Sequence, residues 1–76
     1  MIPLTALPSG SRGRVVKIIG GFGAYRNLEE MGIVVGKEIS VLRNDGGAIL
    51  ISVDGTKFAI GRGLAMKVML DVKQKD

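Results

Sequence analysis

The chain has 76 residues, enough for one small domain, and its 46% hydrophobic and 24% charged residues are typical of a folded protein. Eleven Lys and Arg against seven Asp and Glu give a net charge of +4, but the basic residues are dispersed and predict a solvated surface. The sequence contains no Cys or His, which excludes disulfides, thiolate or imidazole metal ligands and the common nucleophile–base pairs. No apolar run approaches the roughly 18 residues of a membrane helix, and the N-terminus lacks a secretory pattern, so we expect a cytoplasmic protein.

The first half of the chain predicts a turn, a strand and a short helix. The N-terminal segment carries Leu4 and Leu7 at helical spacing, which predicts an irregular segment or single turn that closes one end of the core. The dense β-branched residues of 14–19 predict a strand with little room for solvent on either side. Over residues 24–31 the apolar spacing becomes helical, which predicts about two turns docked on the sheet. Gly32 stands where a left-handed helix cap is expected.

The second half of the chain alternates strand and turn signals. Its apolar runs predict four further strands, over residues 37–43, 48–53, 56–60 and 67–72. Asp54-Gly55 is typical of a type I′ turn, residues 61–66 indicate one helical turn, and Val72 is expected to face inward. About five short strands, one short helix and one helical turn predict a mainly β fold, a small and partly open barrel.

The motifs that would carry chemistry are incomplete. Residues 32–38 resemble a phosphate-binding P-loop, but only three residues separate the two glycines, and Glu38 stands where Ser or Thr would hold Mg²⁺. Glu29 and Glu30 are adjacent on the predicted helix, so their side chains diverge by about 100° and cannot share a proton. The carboxylates are otherwise scattered singly. We therefore predict a protein that is not an enzyme and has no catalytic residues, no cofactor and no metal site.

The predicted helix and the loop after it contain more large apolar side chains than a small barrel easily buries. Either all of them belong to the core, with Leu28 and Ile33 as its first members, or some remain exposed for a protein partner. The candidate partner-binding residues are Phe22, Tyr25, Arg26, Met31, Val34 and Val35. Bases stack on exposed aromatics in small nucleic-acid-binding barrels, and only Phe22 and Tyr25 are candidates for that role, so we expect no nucleic-acid partner.

A family resemblance supports these expectations. Residues 28–39 resemble the Leu-x-x-Met/Leu-Gly-Ile/Leu-x-Pro-Gly segment of FeoA, the small cytosolic component of the bacterial ferrous iron transport system. The resemblance continues through residues 4–16 and 60–68, so it covers essentially the whole chain. Val35 stands where the family usually has Pro, and Ala48 where a Pro often opens the middle strand. Both departures concern turn geometry more than function.

The resemblance implies an SH3-like barrel as a single domain over residues 1–76. It also implies a role supporting the membrane ferrous iron transporter FeoB through that protein's cytosolic GTPase region, with membrane association only through this partner. Weak self-association is left open. The same barrel occurs in iron-dependent repressors related to the diphtheria toxin repressor, but a free-standing chain without a helix-turn-helix looks like the transport protein. A nucleic-acid-binding barrel and a detached regulatory domain of a metal-dependent repressor are the alternatives.

Overall fold

Antiparallel strands dominate the computed structural model, which describes residues 1–73. The elements are β1 (Ile2–Pro3), a 3-10 turn (Leu4–Ala6), β2 (Arg12–Ile18), α1 (Phe22–Glu30), β3 (Glu38–Arg43), β4 (Ile49–Val53), β5 (Thr56–Ile60), α2 (Arg62–Ala65) and β6 (Val68–Val72). The six strands form one sheet in the order β1-β6-β2-β3-β4-β5. The mainly β fold with one short helix and one helical turn is thus confirmed.

The N-terminal part of the sheet differs from expectation in two ways. Ile2–Pro3 forms a short sixth strand by pairing with β6, where the sequence indicated only an irregular segment or turn. The strand β2 was expected to be buried on both faces, and this is wrong. Val15 is buried but Arg14 is exposed, and the register shifts between Val15 and Lys17 opposite β6. The bulge changes which side chains of β2 face the core. It arises only in the pairing of β2 with β6.

The hydrophobic core lies inside the curved sheet and is closed by side chains from the turns and both helices. Its fully buried members are Leu4, Leu7, Val15, Leu28, Ile33, Ile39, Val41, Ile49, Ile51, Val53, Ile60, Ala65, Val68 and Leu70. On β3 and β4 the buried residues alternate with more exposed ones, as expected for a sheet with one covered face. The expected placement of Leu28 and Ile33 in the core is confirmed.

The end of α1 is fixed by its own backbone. Gly32 has a φ of +81°, its N–H donates to the carbonyl of Glu29 at 2.9 Å, and the N–H of Ile33 donates to the carbonyl of Leu28 at 2.9 Å. These two bonds form a Schellman motif, in which the buried Leu28 and Ile33 supply the accompanying apolar pair. The predicted glycine cap is confirmed, and the helix begins at Phe22, two residues earlier than expected.

The tight turn between β4 and β5 also follows the sequence. Asp54 and Gly55 both have positive φ, at 51° and 83°, which is the type I′ geometry expected of this pair. At the end of β6 the expectation fails, because Val72 is exposed rather than turned into the core. Val72 lies opposite Gly13, which has no side chain to pack against it.

Candidate partner-binding surface

Helix α1 presents two aromatic side chains on the outside of the barrel. Phe22 begins the helix and is 78% exposed, and Tyr25, one turn later, is 43% exposed. Another face of the same helix places Leu28 in the core. A helix of about two turns is stable only through such packing, so its aromatics are held on a fixed support.

Arg26 lies on the same outer stripe as Phe22, four residues further along the helix. Its Cζ atom is 6.0 Å from the centroid of the Phe22 ring, which is the outer limit of a cation–π contact. At an exposed site such a contact contributes about 0.5–1 kcal/mol. Within residues 1–73 Arg26 forms no ion pair, so its guanidinium stays free for other contacts.

The loop after α1 is tied to the sheet by a tight turn. The N–H of Lys37 donates to the carbonyl of Val34 at 3.0 Å, Gly36 has a φ of +97°, and Val35 has a negative φ. These are the features of a type II turn, with Val35 at its second position. The N–H of Gly36 also donates to the carbonyl of Val15 at 2.7 Å, which anchors the turn on β2.

The six candidate residues do not have equal access to solvent. Phe22, Tyr25, Arg26 and Val35 are exposed, and Val35 is 53% exposed at the tip of its turn. Met31 and Val34 are half-buried, and Met31 packs against the core. We call these six residues the α1 surface. Four of them are open to a partner, and the other two are only partly accessible.

Two further exposed apolar side chains were missed by the sequence reasoning. Ile19 lies just past the end of β2, and Met66, which caps α2, is 59% exposed. The N–H of Ile19 donates to the carbonyl of Lys67 at 2.7 Å, so the two segments are adjacent just before α1 begins. The consecutive pair Ile18-Ile19 was the available signal, because successive strand residues point to opposite faces.

Two exposed ion pairs elsewhere on the barrel shift the pKa of one member each. A hydrogen bond from Lys73, at 3.0 Å, lowers the pKa of Glu38, and the charges of Arg12 and Arg14 act in the same direction. A hydrogen bond to Asp45 at 2.6 Å raises the pKa of Arg43. Both shifts favour the charged form, whereas a general acid or base needs a pKa closer to neutrality.

Residues 1–73 show neither a metal-binding cluster nor a membrane-spanning helix. Among residues 1–73, no three carboxylates come together as a group that could hold a metal ion. Neither helix in this range is long and apolar enough to cross a membrane. The exposed apolar residues on and around α1 are therefore the feature that distinguishes this surface from an ordinary solvated exterior.

Comparison with known proteins agrees with the family resemblance seen in the sequence. The family model described as the FeoA domain matches residues 2–72. A protein of Methanocaldococcus jannaschii named Fe(2+) transport protein A is 45% identical over 71 residues, which cover 93% of this chain and 87% of the relative. A crystal structure of an iron uptake regulatory protein, FeoA, is 44% identical with a TM-score of 0.90, covering 95% of this chain and 96% of the other.

A third relative identifies the fold. The FeoA of Stenotrophomonas maltophilia, crystallised in complex with zinc and described as an SH3 domain protein, is 26% identical with a TM-score of 0.81. The match covers 93% of this chain and 91% of that protein. The expected SH3-like architecture is thus confirmed.

Proposed function

Because the chain belongs to the FeoA family of ferrous iron transport accessory proteins, we propose that it is a non-enzymatic interaction module that docks on the cytosolic GTPase region of the transporter FeoB. The docking uses the α1 surface. In this proposal the protein works in the cytoplasm and reaches the membrane only through its partner.

The observation that carries the proposal is the exposure of Phe22. A side chain of this size that is 78% exposed leaves a large apolar area in water. Full burial of a Phe side chain is worth about 1.5–3 kcal/mol, so a pocket on a partner would gain much of that amount. Tyr and Arg, the types of Tyr25 and Arg26, are also among the residues that most often dominate binding energies at protein interfaces.

The rigidity of the surface supports the same function. The Schellman motif fixes the end of α1, and the bond from Gly36 to Val15 fixes the following turn. A surface that is ordered before binding loses less conformational entropy on association than a flexible loop does. The backbone that carries Phe22, Tyr25 and Val35 therefore needs little rearrangement to meet a partner.

The test is capture of the full chain by the immobilised cytosolic region of FeoB. We expect Phe22→Ser to weaken capture tenfold or more while the circular dichroism spectrum and melting temperature stay close to those of the wild type. Leu42→Ser is the matched control, because Leu42 is an exposed apolar residue on β3 and lies outside the α1 surface. Unchanged capture after substitution of Phe22, Tyr25 and Val35 in turn would refute the docking role of this surface.

A further inference from the structure

Helix α1 carries a net negative charge on a positively charged protein. The charged residues of the helix are Arg26, Glu29 and Glu30, so it carries a net charge of −1, against +4 for the whole chain. Glu30 is one helical turn from Arg26, a spacing at which opposite charges commonly pair. Instead, Arg26 lies beside the Phe22 ring, and no ion pair joins it to Glu30.

Glu29 and Glu30 also differ from the other described carboxylates. Glu38, Asp45, Asp54 and Asp71 each form an ion pair at 3.4 Å or less with Lys, Arg or the amino terminus. Within residues 1–73 Glu29 and Glu30 form none, and both are exposed. Neither carboxylate is therefore directly paired with a cation of the described part of the chain.

Their position is unfavourable for the helix itself. Both residues lie at the C-terminal end of α1, where the helix dipole is negative and favours cations. The last turn contains no basic residue, the first turn contains no acidic residue, and the N-cap residue is Gly21, which has no side chain to cap the helix. The charge pattern of α1 is thus the reverse of the one that would stabilise it.

Building on the proposed function, we propose that the partner meets helix α1 with a basic protein surface, in which Lys or Arg side chains lie opposite Glu29 and Glu30 and surround an apolar pocket for Phe22. The negative charges of Glu29 and Glu30 favour a partner surface of opposite, positive charge. Nucleic-acid phosphates and anionic lipid headgroups would be repelled by the two carboxylates. A basic surface would neutralise them and would also speed the encounter of the two proteins.

The first measurement uses the isolated protein. Neutralising both carboxylates in Glu29→Gln/Glu30→Gln should raise the melting temperature by a few degrees, because an unfavourable interaction with the helix dipole is removed. The matched control is Asp45→Asn/Asp71→Asn, which changes the net charge equally but removes two exposed ion pairs outside α1. The control should not raise the melting temperature. If Glu29→Gln/Glu30→Gln were no more stable than the wild type, the proposal would be overturned.

The second measurement is capture by the immobilised cytosolic region of FeoB. Glu29→Gln/Glu30→Gln should weaken capture about tenfold and make it less sensitive to salt, whereas Asp45→Asn/Asp71→Asn should be captured like the wild type. If the wild type is captured and Phe22→Ser weakens it, but the Glu29→Gln/Glu30→Gln variant is captured normally, the basic partner surface is refuted and the proposed function stands.

Two other results would overturn the proposal. Failure of the wild type to be captured would refute both the proposed function and the partner surface inferred from it. Self-association of the wild type that is lost in Glu29→Gln/Glu30→Gln, measured by sedimentation, would identify a second copy of this chain as the occupant in place of the transporter.

Discussion

Asn44 joins three separate parts of the chain, and its removal should cost the barrel much of its stability. Its Nδ2 donates to the carbonyls of Thr5 at 3.0 Å and Leu7 at 2.7 Å, and its Oδ1 accepts a bond from Nη1 of Arg62 at 2.8 Å. Arg62 also donates to the carbonyls of Thr5 and Gly47. These bonds hold the N-terminal turn, the β3–β4 turn and α2 together.

The substitution Asn44→Ala removes all three hydrogen bonds of this side chain. Each such bond contributes about 0.5–1.5 kcal/mol net, and the value lies at the lower end where water can replace the lost partner. Asn44 is half-buried, so we expect a loss of about 2 kcal/mol in the free energy of unfolding. For a domain of this size, that loss lowers the melting temperature by about 10 °C.

Urea unfolding followed by circular dichroism measures this loss. Asn27→Ala is the matched control, because Asn27 is exposed on α1 and Ala is the better helix former, so the control should be neutral or slightly stabilising. In a double-mutant cycle, Asn44→Ala and Arg62→Met should be coupled, since the two side chains share a bond. A loss below about 0.5 kcal/mol for Asn44→Ala, or strict additivity in the cycle, would refute the reasoning.

Two more predictions concern the helix and its loop. Val35→Pro should raise the free energy of unfolding by about 0.4–1 kcal/mol, because Pro suits the second position of the type II turn and the Val35 N–H donates no described bond. Urea unfolding measures the gain, and a destabilised variant would contradict the turn assignment. Leu28→Gln should lower the melting temperature strongly, because a buried amide without partners costs about 1–3 kcal/mol in addition to the lost apolar burial. An unaltered melting temperature in a thermal scan would show that Leu28 is not a core residue.

The parts of the fold that were predicted well depend on local chemistry. Gly32 ends α1 because a glycine reaches positive φ without strain, and Asp54-Gly55 closes a hairpin for a similar reason. Each feature involves only a few consecutive residues, so the sequence contains the information needed to predict it.

The parts that were predicted wrongly depend on pairing between distant segments. Ile2–Pro3 becomes a strand only because β6 lies beside it, and the bulge after Val15 exists only in the register of β2 against β6. Val72 is exposed because its cross-strand neighbour is Gly13. Residue alternation cannot reveal which strand lies opposite, so these features could not be predicted from the sequence.

The candidate site was predictable only as a group of residues. The excess of apolar side chains indicated a surface around α1, but nine residues of helix are too few to fix which of them face solvent. The structure separates exposed Phe22 and Val35 from half-buried Met31 and Val34. Ile19 and Met66 were missed because they belong to two distant segments, which meet where the N–H of Ile19 bonds to the carbonyl of Lys67.

The stabilising cluster around Asn44 and the glycine cap at the end of α1 lie at opposite ends of β4. Asn44 lies in the turn that leads into Ile49, the first residue of β4, whereas Gly32 lies beside Val53, the last, such that a Cβ on Gly32 would be 3.7 Å from Val53 Cγ1. Distant sites without shared partners act nearly independently. Asn44→Ala should therefore lower stability without changing capture of the partner at temperatures where the barrel stays folded. Phe22→Ser should instead weaken capture without lowering stability. A loss of capture by folded Asn44→Ala would show that the two ends of the barrel are coupled.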